Sequence, residues 1–123
     1  MSSPRVNISS GTQFETLVGY SRAVRIGPYI AVAGTTGQGD DCVSQTRNAL
    51  QRIESALLDL GCGRSDVVRT RIYVTDMSQW RLIGAVHAEF FGEVGPVATM
   101  VEVSALIDAG LLVEIEADAY IGG

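Results

Sequence analysis

Asp66-Val67-Val68-Arg69-Thr70-Arg71-Ile72-Tyr73-Val74-Thr75-Asp76 is the stretch on which the fold turns. Its side chains alternate, and a period of two is the signature of a strand. Val68, Thr70, Ile72 and Val74 fall on one face, and Val67, Arg69, Arg71 and Tyr73 on the other. The first face suits a helix layer. The second mixes charge with apolar surface, so it is expected to meet more than water.

Helical patterns flank this strand. Ser44 to Leu60 places Leu50, Ile53, Leu57 and Leu60 on one stripe, with Ser44 as the expected N-cap and Gly61 as a left-handed stop. Ser78 to Phe91 places Trp80, Ile83, His87 and Phe90 on a second stripe, ended by Gly92. Tyr20 to Gly34 is rich in strand formers and is broken at Gly27-Pro28, which predicts two antiparallel strands. Thr99–Ala105 and Leu111–Ile121 predict two more, and a further strand is expected near Val6. Strands alternating with helices indicate an α/β (α+β) class: one mixed six-stranded sheet with two helices on one face. The other sheet face, with its charges of both signs, is then a candidate subunit interface.

The chain has 123 residues, which is one domain spanning 1–123. A chain of this size folds to a surface of about 6,400 Å² from about 19,000 Å² unfolded, so a core forms without disulfides or a structural metal. Apolar residues make up 46% and charged residues 19%, which excludes wholesale disorder. Apolar runs are far too short to span a bilayer, and the first eleven residues hold no signal-peptide core. A cytoplasmic location is expected. The net charge is −5 and every basic residue is an arginine, which counts against a nucleic-acid partner. Cys42 and Cys62 fit no metal spacing, so two free thiols in loops, without metal, are expected.

Three features could carry chemistry. Glu114, Glu116 and Asp118 share one face of the last strand, where a general base could sit. A salt-bridged strand face explains them as well, with Arg69 and Arg71 as natural partners. His87 lies among apolar residues and reads as a packing imidazole. Gly34-Thr35-Thr36-Gly37 follows a strand but lacks the lysine of a phosphate loop; its glycines let backbone approach a neighbouring surface or a small ligand.

The chain resembles the Rid family, the reactive intermediate deaminases of YjgF type. The resemblance runs from about Tyr20 to Ala119. It rests on Tyr20-Ser21-Arg22-Ala23-Val24, Val32-Ala33-Gly34, Gln45-Thr46-Arg47-Asn48-Ala49-Leu50, Asp66-Val67-Val68-Arg69-Thr70, Val74-Thr75-Asp76, His87-Ala88-Glu89-Phe90-Phe91 and Val113-Glu114-Ile115-Glu116-Ala117, in that order. It implies a fold like chorismate mutase of the Bacillus type and a homotrimer with small-molecule clefts between subunits. It implies hydrolysis of 2-imino and 2-enamino acids without metal or organic cofactor. It places Tyr20 and Gly34 at the ligand, the backbone of Met100 beside them, and Glu116 as the carboxylate that handles water.

One position departs. The family's proline, any residue, arginine pattern meets Pro96-Val97-Ala98, so Ala98 stands where an arginine would clamp the substrate carboxylate. Classical 2-imino-acid hydrolysis is therefore expected to be weak or absent. Arg22 is the first alternative clamp, on Tyr20's face if that strand is regular, with Arg69 and Arg71 next. A deaminase-like imine or enamine hydrolase is the first reading and a non-catalytic small-molecule binder or sensor the second. An endoribonuclease or translation inhibitor comes last, disfavoured by the acidity, the absent lysines and the single histidine.

Overall fold

The computed structural model describes residues 4–122. The decisive stretch forms β4 (Val67–Val74), and Thr70, Ile72 and Val74 are buried on one face as the alternation requires. The first two residues depart from it. Val67 is 3% exposed and Val68 is 50% exposed, the reverse of the expectation. The pairing with β6 (Val113–Tyr120) shifts register between Val67 and Arg69. A bulge inserts one residue and flips the alternation on its far side.

The remaining strands are β1 (Arg5–Ile8), β2 (Ala23–Ile26), β3 (Tyr29–Thr36) and β5 (Val97–Glu102). They form one six-stranded sheet in the order β1-β2-β3-β6-β4-β5. Only the β4–β5 pair is parallel, so the sheet is mixed. Its crossover is α3 (Trp80–Phe91), entered through a 3₁₀ turn at Met77–Gln79. The strand expected over Thr99–Ala105 starts two residues earlier and ends at Glu102. β2 and β3 turn at Gly27, whose φ of +58° suits glycine, followed by Pro28.

α2 (Cys42–Asp59) and α3 cover one face of the sheet. Leu50, Ile53 and Leu57 of α2 meet Ile83 of α3, Ile30 of β3 and Ile115 of β6, all within 1% of full burial. Side chains of this size contribute about 1.5–3 kcal/mol each on burial, so this seam supplies much of the folding energy.

Three expectations need correction. The N-cap of α2 is Asp41, not Ser44: its carboxylate accepts from the Ser44 N–H at 2.8 Å, and the Ser44 hydroxyl closes a capping box. Starting the helix two residues earlier puts Cys42 inside rather than in a loop, at 3% exposure, and Cys62 is also buried at 7%. Burial raises both thiols above their ordinary range, so they are free but unreactive. Trp80 is not core. It begins α3 beyond the end of the packed seam, where it is 51% exposed, and Ile83, Val86 and Phe91 make the buried contact. A short helix, α1 (Gln13–Val18), was not expected. Only Glu15 of it is buried, so it carries no apolar stripe to read.

Candidate functional site

The sheet face opposite the helices carries the polar constellation. Along β6, Val113, Ile115, Ala117 and Ala119 point into the core, which turns Glu114, Glu116 and Asp118 outward. Register sets Arg71 opposite Glu116 and Tyr73 opposite Glu114. Arg71 Nη1 lies 3.4 Å from Glu116 Oε1 and 3.3 Å from Asp118 Oδ2. The Tyr73 hydroxyl donates to Glu116 Oε1 at 2.9 Å, which raises its own pKa. Glu116, expected to handle water, is thus held by two neighbours. Arg69 stands opposite Asp118 but forms no ion pair among the described residues.

Glu114 is placed differently. β3 pairs Val32 with Ala117 and Thr35 with Ile115, so Ala33 and Gly34 lie in a register shift. A Cβ on Gly34 would sit 3.0 Å from Glu114 Cδ and closer still to its oxygen. Glycine is what lets the carboxylate lie against the bulged backbone. Burial pushes the Glu114 carboxyl above its ordinary range, the Glu116 charge adds to this, and the Arg22 charge opposes it; no hydrogen bond contributes. Such a carboxyl is suited to proton transfer nearer neutral pH than an ordinary glutamate. It lines a pocket of about 360 Å³ together with Tyr20, Gly34, Phe14, Ile107 and Leu111.

Tyr20 is shared with a second pocket of about 470 Å³, on the side of Arg71, Glu116 and Asp118. The structure therefore sets Tyr20 between the two glutamates, with Gly34 on the Glu114 side only. Sequence periodicity gave these two glutamates equal standing. The signal that separates them is a glycine at the end of a strand, opposite the last one.

Arg22 does not join Tyr20. β2 begins at Ala23, so Tyr20 and Ser21 precede the strand and its alternation does not reach them. Arg22 turns to the helix side, where Nη1 donates to Gly34 O at 3.2 Å and to Thr35 Oγ1 at 2.8 Å. Thr35, expected at the ligand, is fully buried there, its hydroxyl donating to Ala33 O. Arg22 and Thr35 thus support the Gly34 bulge from behind. His87 packs as expected: Nε2 is 2.8 Å from Thr70 Oγ1, its ring rests on Phe91, and burial lowers its pKa.

Ala98 and Met100 lie on the edge strand β5, opposite Thr70 and Ile72. Parallel register gives them the helix-side face, and Met100 packs against the core. Two strands separate β5 from β3, about 14 Å at ~4.8 Å per gap. One chain therefore does not bring Ala98 to Tyr20, Gly34 and Glu114. No helix is long and apolar enough to cross a membrane, and no cluster of three metal-ligating side chains occurs among the described residues.

The single mixed six-stranded sheet with two main helices matches the structures of small YjgF-family domains. The chain belongs to the Endoribonuclease L-PSP (YjgF/Rid) family, whose model matches residues 10–121. The chain is similar to Rv2704 of Mycobacterium tuberculosis, a member of the YjgF/YER057c/UK114 family. Identity is 65% over 96% of this chain and 100% of that one, with a TM-score of 0.95. A Rid-family protein of Yersinia pestis is 27% identical with a TM-score of 0.83, covering 96% and 100% of the two chains. The RutC-family protein PH0854 of Pyrococcus horikoshii is 37% identical over 109 residues, 82% of this chain and 86% of the relative. Membership of this family supports a small-molecule-binding or deaminase-like role.

Proposed function

We propose that the protein binds a small imine or enamine beside Tyr20 and Gly34 and hydrolyses it with Glu114, rather than Glu116, handling the water. The observation that carries this is the part-buried Glu114 carboxylate against the glycine backbone, in no ion pair among the described residues. A carboxylate with a raised pKa can take a proton from water as its oxygen bonds to the imine carbon. Returning that proton to the nitrogen gives a carbinolamine, and passing the carbinolamine hydroxyl proton to the nitrogen in the same way lets the C–N bond break as the C=O bond forms and ammonia leaves. Glu116 already accepts from Tyr73 and faces Arg71, so it is less free to exchange protons.

Ala98 limits the substrate. A missing partner to a desolvated carboxylate costs about 2–5 kcal/mol, or roughly thirty- to several-thousand-fold. The preferred substrate then lacks a carboxylate at the clamped place. We further propose a homotrimer whose clefts join Tyr20, Gly34 and Glu114 of one protomer to β5 of the next. β5 is an edge strand with exposed Val97 and Val101, a surface that favours a partner.

The test is ammonia release from a panel of imines, with background hydrolysis subtracted and light scattering giving the mass. Wild type is expected near three chain masses, active on imines without a carboxylate and near background on 2-imino acids. Glu114→Gln should lower the rate about 10²–10⁴-fold. Ala98→Arg should gain activity on 2-imino acids, since Ala98 is exposed and a larger side chain meets little resistance within the chain. Ligand binding without turnover in wild type would favour the binder or sensor reading. A monomer would remove the inter-subunit cleft.

A further inference from the structure

Arg22 carries a charge that the Glu114 site does not neutralise by contact. Its side chain is 8% exposed, and Nε is buried without a hydrogen-bond partner among the described residues. The ion pairs among the described residues leave it out. A guanidinium taken from water without a paired anion is unfavourable. Arg52, on α2, is half-buried. Its Nη1 donates to Thr36 O at 2.6 Å and it forms no ion pair there. Burial and the Arg22 charge both push its guanidinium pKa down, as expected for two like charges held near each other.

Both arginines line one pocket of about 230 Å³, with Ile8, Ser10, Ser55 and Asp59 among its walls. The nearby carboxylates answer the charge only at a distance: the Arg22 charge lowers the Glu15 pKa and opposes the rise at Glu114, without contact to either. Glu15 is taken by the hydroxyls of Ser9 and Ser10 and by the Ser10 N–H. Glu114 faces the other pocket. Asp59 lines this one but is exposed and pairs with neither arginine. Arg52 and Ser55 are three residues apart on α2 and so share a helix face.

We infer that this pocket is a binding site for a phosphate group, free or esterified on a small metabolite, held between Arg22 and Arg52 with the Ser55 hydroxyl beside it. Guanidinium groups match phosphate in geometry and charge, and two cations suit a dianion better than a single carboxylate. The volume holds several water equivalents at ~30 Å³ each, enough for phosphate on a short carbon chain. Asp59 adds repulsion, so binding needs both arginines.

Amide and arginine Nε–H spectra of the full chain test this in a titration with inorganic phosphate, at ionic strength held constant with chloride. Glycerol phosphate and malonate run as parallel arms. Saturable shifts at Ser10, Arg22, Arg52 and Ser55 are expected with both phosphates, and the tighter of the two tells free from esterified ligand. Arg52→Gln should weaken binding at least tenfold. Ser55→Asp, on the exposed side of α2 where folding is little at risk, should abolish it. Shifts that do not saturate, or equal affinity in Ser55→Asp and wild type, would overturn the proposal. Malonate binding as tightly as phosphate would overturn the phosphate assignment.

Discussion

The two ends of the open face of β6 treat the same side chain in opposite ways. Toward the middle, Glu116 meets Arg71 and Tyr73, and its charge is answered by a cation and a hydroxyl. Two residues earlier, Glu114 meets a bulged strand, a glycine and a pocket, and no cation among the described residues touches it. The backbone of β6 is regular through both, so the difference comes from the neighbouring strands. β4 supplies partners and β3 supplies a gap. A strand face can thus stabilise the sheet at one position and hold a reactive group at the next.

The comparison can be broken most forcefully at Gly34. Gly34→Ala places a methyl group where the Glu114 carboxylate lies, and the flexible carboxylate must move. Hydrolysis should fall as far as in Glu114→Gln, while the melting temperature moves by less than the equivalent of about 1 kcal/mol, since only a side-chain tip gives way. Unchanged turnover in a folded Gly34→Ala would remove the link between glycine and carboxylate. Glu116→Gln should have the opposite profile. It loses a half-exposed ion pair worth up to about 1 kcal/mol by denaturant unfolding and keeps the rate within a few-fold. A large rate loss there would return the water-handling role to Glu116.

The smallest effect is one of pH. The folded-state pKa of Glu114 lies above its unfolded value, so its contribution to stability is complete below the unfolded pKa, about 4.3. That contribution is lost as pH rises through the folded value. Glu114→Gln should therefore gain in melting temperature over wild type as pH is raised from 4 to 7. A gap that is constant with pH would contradict the desolvated carboxylate.

Most of the sheet and both long helices were legible in the sequence because apolar periodicity is a local property. The stripe of Leu50, Ile53, Leu57 and Leu60 needs only its own helix to be read, and all four are buried. What was not legible depends on partners far away in the chain. The exchange of Val67 and Val68 is fixed by pairing with β6. The burial of Cys42 follows from which acceptor caps α2, and Asp41 outcompetes Ser44. α1 leaves Phe14, Leu17 and Val18 exposed, so nothing in its pattern announces it. Within the candidate site, the family resemblance points to Tyr20, Gly34 and Glu116. Alternation assigns Glu114 and Glu116 the same face, and only cross-strand contacts with β3 and β4 divide them.

The most direct test is a carbon-13 titration of the glutamate side-chain carboxyls, with Glu114 assigned by its loss in Glu114→Gln. The account predicts a Glu114 midpoint clearly above the ordinary glutamate value of about 4.3, falling toward that value in Gly34→Ala as the carboxylate is driven from its place. A Glu114 midpoint at or below the ordinary value in the wild-type protein would contradict it.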